Sequence, residues 1–123
     1  INKKKNPWTI NSLAAIAGEI MFTDEEYKQQ TKELISSERN RVCQLLKDSG
    51  KFRVYPTSAN FILAKILDTK LTSEDYFDAC IRKNMMIRDC SSFPFLNNKF
   101  IRFCFMEKEQ NDALLDILFH LEK

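Results

Sequence analysis

The order in which the hydrophobic pattern switches between a helical period and a strand period leaves few folds open to this 123-residue chain. Ser12 to about Phe22 is rich in Ala and Ile and apolar nearly all round, a poor surface helix but a good buried or interface one. A long helix follows to about Ser49, with Tyr27, Leu34, Ile35, Val42, Leu45 and Leu46 on one stripe. Phe52–Tyr55 and Phe61–Ile66 read as two strands broken apart by Pro56-Thr57-Ser58. After a helix come two more strands, Met85–Arg88 and Phe100–Met106, and then a final helix from about Lys108 to Leu121. The order helix, helix, strand, strand, helix, strand, strand, helix predicts an α+β domain. Its small antiparallel or mixed sheet of about four strands would have helices packed on one face.

Local signals punctuate these elements. Thr23 with Glu26 has the spacing of a capping box at the start of the long helix, and Gly50 suits its C-terminal end. Thr72 or Ser73 caps the third helix, which would turn Tyr76, Phe77, Cys80 and Ile81 inward. Ala113, Leu114, Ile117, Leu118 and Leu121 would do the same in the last. Asn6-Pro7-Trp8-Thr9 reads as extended or turn, because the residue before a proline avoids the helical region.

Composition removes several functional classes. Two glycines, Gly18 and Gly50, stand where an average chain would carry about nine. Loops that cradle phosphate need glycine so that backbone N–H groups can approach, so the chain has no such loop of its own. A net charge of +2, with only Lys3–Lys5 as a basic run, gives no footprint for nucleic acid; the run reads as a solvated end. No apolar run approaches the ~20 residues of a membrane helix, and no signal-type segment follows the basic start, so a cytoplasmic protein is expected. The four cysteines lack the spacing of a zinc or redox motif and read as small buried hydrophobes. The single His120 offers no metal cluster.

Strand parity singles out two cations. In the fourth strand Ile101, Phe103 and Phe105 point one way, towards the helices, and Arg102 points the other way with Phe100, Cys104 and Met106. In the third strand Arg88 shares a face with Met86. If these strands pair, both arginines emerge on one side of the sheet, a natural receptor for carboxylate or phosphate. The alternative is that they pair with Asp89, Glu107 or solvent, although Asp89 falls on the opposite face from Arg88. No nucleophile or acid–base constellation is found, and no lysine sits in a context typical of a Schiff base.

A resemblance extends this reading. Met86-Ile87-Arg88-Asp89-Cys90-Ser91-Ser92-Phe93-Pro94 followed by Phe100-Ile101-Arg102 resembles the small-domain signature of the histidinol-phosphate aminotransferase and threonine-phosphate decarboxylase group. Pro7-Trp8-Thr9-Ile10-Asn11 resembles the segment where that group's chain leaves its large domain, and Ser58-Ala59-Asn60-Phe61 resembles its second-strand start. The resemblance implies the small C-terminal domain, over residues 1–123, of a fold-type-I pyridoxal-phosphate enzyme. The large cofactor domain, with the catalytic lysine, would lie upstream of this chain. By the same resemblance Arg102 would grip the substrate carboxylate, Arg88 the distal phosphate of a phosphorylated amino acid, and Asn60 would lie near the cleft. A cytoplasmic homodimer using pyridoxal phosphate is implied, with no cofactor held by this chain alone and with transamination and decarboxylation both open. The group usually has glycine where Asn84 and Phe95 stand here; Asn tolerates a left-handed backbone, whereas Phe does so only at a cost. Two other readings are a free-standing module that binds an anionic metabolite and a plain interaction domain contacting partners through Ser12–Phe22.

Overall fold

The computed structural model describes residues 11–122, which divide into two compact units between Glu33 and Leu34. The readings made at Lys3–Lys5 and at Asn6–Thr9, and most of the Pro7–Asn11 motif, lie outside the described residues. The first unit holds α1 (Ser12–Thr23) and the opening turns of α2 (Glu25–Asp48). Asn11 starts α1: its backbone is extended and its side chain accepts from the Ala14 N–H at 2.8 Å. No residue of α1 is buried, and Leu13 and Phe22 are 79% and 76% exposed, so this apolar helix lies uncovered in the described chain.

The cap of α2 also differs from expectation. The Thr23 hydroxyl donates backwards to the carbonyls of Glu19 and Ile20, at 3.1 and 2.9 Å, and so continues α1. Asp24 takes the capping role instead, its Oδ1 accepting from the Tyr27 N–H at 2.9 Å, while Glu26 accepts from the Gln30 side chain. Two capping residues stand side by side in sequence, and the helix that ends first claims the first of them.

The second unit is built around a four-stranded sheet. β1 (Phe52–Val54), β2 (Phe61–Ile66), β3 (Arg88–Asp89) and β4 (Phe100–Cys104) lie in the order β1-β2-β4-β3, every neighbouring pair antiparallel. α3 (Ser73–Ile81) and α4 (Lys108–His120) complete it. Alternation puts Phe52, Ile62, Ala64, Ile66, Ile101 and Phe103 into one core with Val42 and Leu46 of α2, Tyr76 and Cys80 of α3, and Leu114, Leu115 and Leu118 of α4. Each large apolar side chain removed from water here contributes roughly 1.5–3 kcal/mol. The α+β expectation, with helices on one face, holds; the sheet is wholly antiparallel among the described residues.

Several details shift. In α2 the inward stripe is Glu38, Val42 and Leu46 with Ile35 beside it, whereas Tyr27, Leu34 and Leu45 are exposed. In α4 Ala113 is exposed and Asn111 and Leu115 are buried; in α3 Ile81 is exposed. Of the cysteines, Cys80 and Cys90 are buried, Cys43 is half-buried and Cys104 is exposed. The expected strand Met85–Arg88 is reduced to Arg88–Asp89 because the chain before it finishes α3. The Met85 N–H donates to the Cys80 carbonyl and the Asn84 N–H to that of Ile81, both at 2.9 Å. This pair of bonds requires a left-handed residue between helix and strand, and Asn84 supplies it at φ 57°.

A polar joint fixes the far end of β4. Asn111 accepts from the Met106 N–H at 3.0 Å and donates to the Met106 carbonyl and to Glu38 Oε2, both at 2.7 Å. Arg41 grips Glu38 through Nε and Nη2 at 2.9 and 2.6 Å, and Asp112 through Nη1 at 2.6 Å. Burying a polar group is costly unless it is hydrogen-bonded, and this joint satisfies two buried side chains, Glu38 and Asn111. No helix among the described residues is long and apolar enough to cross a membrane.

Candidate anion-binding site

The face of the sheet opposite the helices carries the two arginines singled out by strand parity. β3 and β4 pair with Arg88 directly opposite Arg102, and β2 and β4 pair with Leu63 opposite Arg102 and Phe61 opposite Cys104. Directly paired residues share a face, with Cβ atoms about 4.5–5.5 Å apart. Since Ile101 and Phe103 point into the core, Arg88 and Arg102 project from the open side.

Aromatic rings hold the guanidinium groups there. The Phe93 ring lies 5.4 Å from Cζ of Arg88 and 5.9 Å from Cζ of Arg102, and Phe61 lies 5.0 Å from Arg102. Rings orient a cation without neutralising it. Among the described residues neither arginine forms a salt bridge or a side-chain hydrogen bond. Asp89, the nearest acidic residue in sequence, is occupied: its two oxygens accept from the Ser91 N–H at 2.9 Å and the Ser91 hydroxyl at 2.7 Å. Burial works to raise the Asp89 carboxyl, but the Ser73 hydroxyl, the Ser91 bonds and the Arg88 charge bring it below the ordinary aspartate range. The pairing of Arg88 with Asp89, or of Arg102 with Glu107, is therefore not realised as an ion pair.

Beside the arginines opens a groove of about 400 Å³, lined among others by Phe77, Met86, Arg88, Arg102, Cys104 and Met106. It exists because β3 is only two residues long, so the β4 edge beyond Arg102 is left without a partner strand. Its walls are chiefly apolar with two cations at one end, a combination that suits an organic molecule with an anionic group. Cys90 is buried close by; burial pushes its thiol upward, offset in part by the Arg102 charge.

Asn60 is placed differently. It is exposed at the start of β2, where its carbonyl accepts from the Phe105 N–H at 2.9 Å. Among the described residues no side-chain hydrogen bond links it to Arg88 or Arg102. The structure brings the two arginines together, and Asn60 precedes Phe61, whose ring lies against Arg102. Phe61 and Phe93 were not singled out from the sequence. Phe61 was accessible in principle, since it shares strand parity with Leu63; Phe93 was not, because it arrives from a loop. That loop folds as consecutive turns, Phe93 N–H to Cys90 carbonyl at 3.1 Å and Leu96 N–H to Phe93 carbonyl at 3.2 Å. At Phe95 it takes φ 68° with the side chain wholly exposed, so the phenylalanine adopts the backbone that glycine would adopt more cheaply.

No protein-family model matches the chain. It is 32% identical over 117 residues to histidinol-phosphate aminotransferase of Methanocella arvoryzae, covering 94% of this chain and 30% of that protein. It is 30% identical over 118 residues to threonine-phosphate decarboxylase of Salmonella typhimurium, covering 96% of this chain and 32% of that protein. The crystal structure of histidinol-phosphate aminotransferase from Clostridium acetobutylicum superposes with a TM-score of 0.78 at 29% identity, over 96% of this chain and 35% of that one. The chain thus spans about a third of the length of the curated relatives it matches. The resemblance read from the arginine motifs extends along nearly the whole sequence, and the α+β fold is the one seen in the solved relative.

Proposed function

We propose that this chain is the substrate-recognising part of a pyridoxal-phosphate-dependent aminotransferase or decarboxylase acting on a phosphorylated amino acid. Arg102 binds the α-carboxylate and Arg88 the distal phosphate, while Asn60 lies at the margin of the cleft. The observation that carries this reading is the direct register of Arg88 with Arg102 on the open sheet face, with aromatic rings beside them and no ion pair to either among the described residues. Like charges directly opposite each other destabilise a sheet, and a bound dianion removes the conflict. The half-buried Arg102 is the better choice for the group common to all amino acids, and the more exposed Arg88 for a group that varies.

Nothing among the described residues fits pyridoxal phosphate itself. No described lysine is buried, and the two glycines lie inside α1 and at the end of α2, where neither builds a phosphate cradle. The cofactor and its lysine belong, on this proposal, to a large domain joined to this one, and the chain alone is inactive. Association into a homo-oligomer and a cytoplasmic location go with the same reading.

The test is a titration followed by backbone amide NMR, using O-phosphothreonine, histidinol phosphate and threonine as probes. Shifts should centre on β3 and β4. Arg102→Gln should weaken all amino-acid probes bearing a carboxylate by about tenfold or more, the worth of one charge-assisted bond. Arg88→Gln should weaken only the phosphorylated ones. Equal loss for threonine and O-phosphothreonine in Arg88→Gln would refute the division of roles.

A further inference from the structure

The open face holds a second like-charge pair that the reading above does not use. Arg53 of β1 stands directly opposite Lys65 of β2, just as Arg88 stands opposite Arg102. Lys65 is in turn opposite Phe100, two residues from Arg102 on β4, which makes Lys65 and Arg102 diagonal neighbours, roughly 7–8 Å apart. The two pairs therefore form one oblique row, Arg53, Lys65, Arg102, Arg88, running across all four strands. The ring environment repeats as well. Arg53 lies 5.6 Å from the Tyr55 ring, Lys65 lies 5.7 Å from the Phe100 ring, and those rings are 6.1 Å apart.

Elsewhere on the surface several cations have protein partners for their side chains, while Lys32, Lys47, Lys70, Arg82 and Lys83 show none among the described residues; what sets the open face apart is the direct pairing of like charges. Arg41, Lys28 and Lys108 each meet a carboxylate, and Arg39, Lys51 and Lys99 donate to backbone carbonyls. The four on the open face do neither among the described residues. The whole chain carries a formal charge of +2, so with four cations on one face the remainder is net negative, and the positive potential is concentrated where the sheet is bare. Two like-charge pairs side by side repel, and a bound anion relieves that repulsion.

We infer that Arg53 and Lys65 form a second anion subsite continuous with Arg102 and Arg88, and that the whole row takes a condensed phosphate, a chain of three or more phosphates within reach of the long side chains of both pairs. Only the Arg88–Arg102 half of the row is shared with the function proposed above. A lone phosphomonoester would engage one pair and leave the other repelling itself; a chain of phosphates satisfies both.

The probe is inorganic tripolyphosphate, titrated into the 123-residue chain by calorimetry and by amide NMR, with O-phosphothreonine in parallel. Tripolyphosphate should bind saturably, shift amides in all four strands, and weaken steeply with added salt, since screening acts on exposed charges. The double variant Arg53→Gln/Lys65→Gln should lose about tenfold or more in tripolyphosphate affinity while binding O-phosphothreonine as the parent does. An unchanged thermal melt shows that the variant is folded, and Arg53→Lys, which keeps the charge, should restore most of the binding in a Lys65 background. Undiminished tripolyphosphate binding by the double variant, or shifts that avoid β1 and β2, would overturn the inference, as would an acidic peptide that outcompetes tripolyphosphate. Loss of O-phosphothreonine binding alone, with tripolyphosphate retained, would instead count against the phosphoamino-acid function and leave this subsite standing.

Discussion

Replacing Glu38 with alanine should remove more stability than any surface carboxylate can supply. Its side chain is 7% exposed and accepts three hydrogen bonds, two from Arg41 and one from Asn111. Truncation leaves one buried Asn111 N–H without an acceptor, about 1–3 kcal/mol on its own. Arg41 also loses its bidentate partner, but it keeps Asp112 and is 29% exposed, so water recovers part of that loss. The sum, roughly 2–4 kcal/mol, falls below the 3–5 kcal/mol of a fully buried pair. For a domain of this size it means a melting temperature about 10–25 °C lower.

The assay is thermal unfolding by circular dichroism of the parent, Glu38→Ala, Asn111→Ala and the double variant. The two single losses should fail to add by about 1 kcal/mol or more, because the residues share a bond. The pH dependence has a fixed sign. The Arg41 hydrogen bonds hold the Glu38 carboxyl below the ordinary glutamate range despite its burial. Its stabilisation is therefore complete above roughly pH 4.3 and is lost as pH falls through the lower, folded-state value. Glu38→Gln should flatten the stability curve in that acid window. A Glu38→Ala variant within 1 kcal/mol of the parent, or strict additivity with Asn111→Ala, would refute the reasoning.

Other outcomes are as specific. Phe95→Gly should raise stability slightly, by up to ~1 kcal/mol in urea unfolding, because it relieves a left-handed phenylalanine whose ring packs on nothing; Asn84→Gly should be close to neutral. The chain should form dimers or larger species through exposed Leu13, Ile16 and Ile20, and Ile16→Glu with Ile20→Glu should shift sedimentation towards monomer; a parent monomeric throughout the micromolar range would oppose this. Mixed with pyridoxal phosphate and borohydride, the chain should show only scattered lysine labelling by mass spectrometry, and a stoichiometric adduct at one lysine would contradict the assignment of the cofactor to another domain.

Much of the fold was legible because burial writes itself as periodicity. The four strands, α3 and α4 were placed to within a few residues, and the switch between periods dictated the α+β class. What failed were positions at which two local signals competed. Thr23 and Asp24 both cap helices, and only the geometry of the α1 terminus decides which caps α2. Met85 looks like strand, yet its backbone N–H closes α3. Glu38 and Asn111 were passed over because polar residues on an inward stripe are ordinarily read as solvent-facing, and nothing in a one-dimensional pattern shows that each would satisfy the other across 73 positions.

The site was half legible for a related reason. Parity within one strand says which residues share a face, and it identified Arg102; register between strands says which residues become neighbours, and no spacing in the sequence encodes it. Arg88 was reachable only on the condition that its strand paired with that of Arg102, while Arg53 and Lys65 needed the β1–β2 and β2–β4 registers as well. That register is itself set by the core. A one-residue slip would turn Ile62, Ala64 and Ile66 out to water and drive Leu63 and Lys65 under the helices. The same apolar residues that make the inner face thus fix the cationic row on the outer one. A substitution in the core that loosens register, such as Ile62→Ala, perturbs anion binding without touching a single charge.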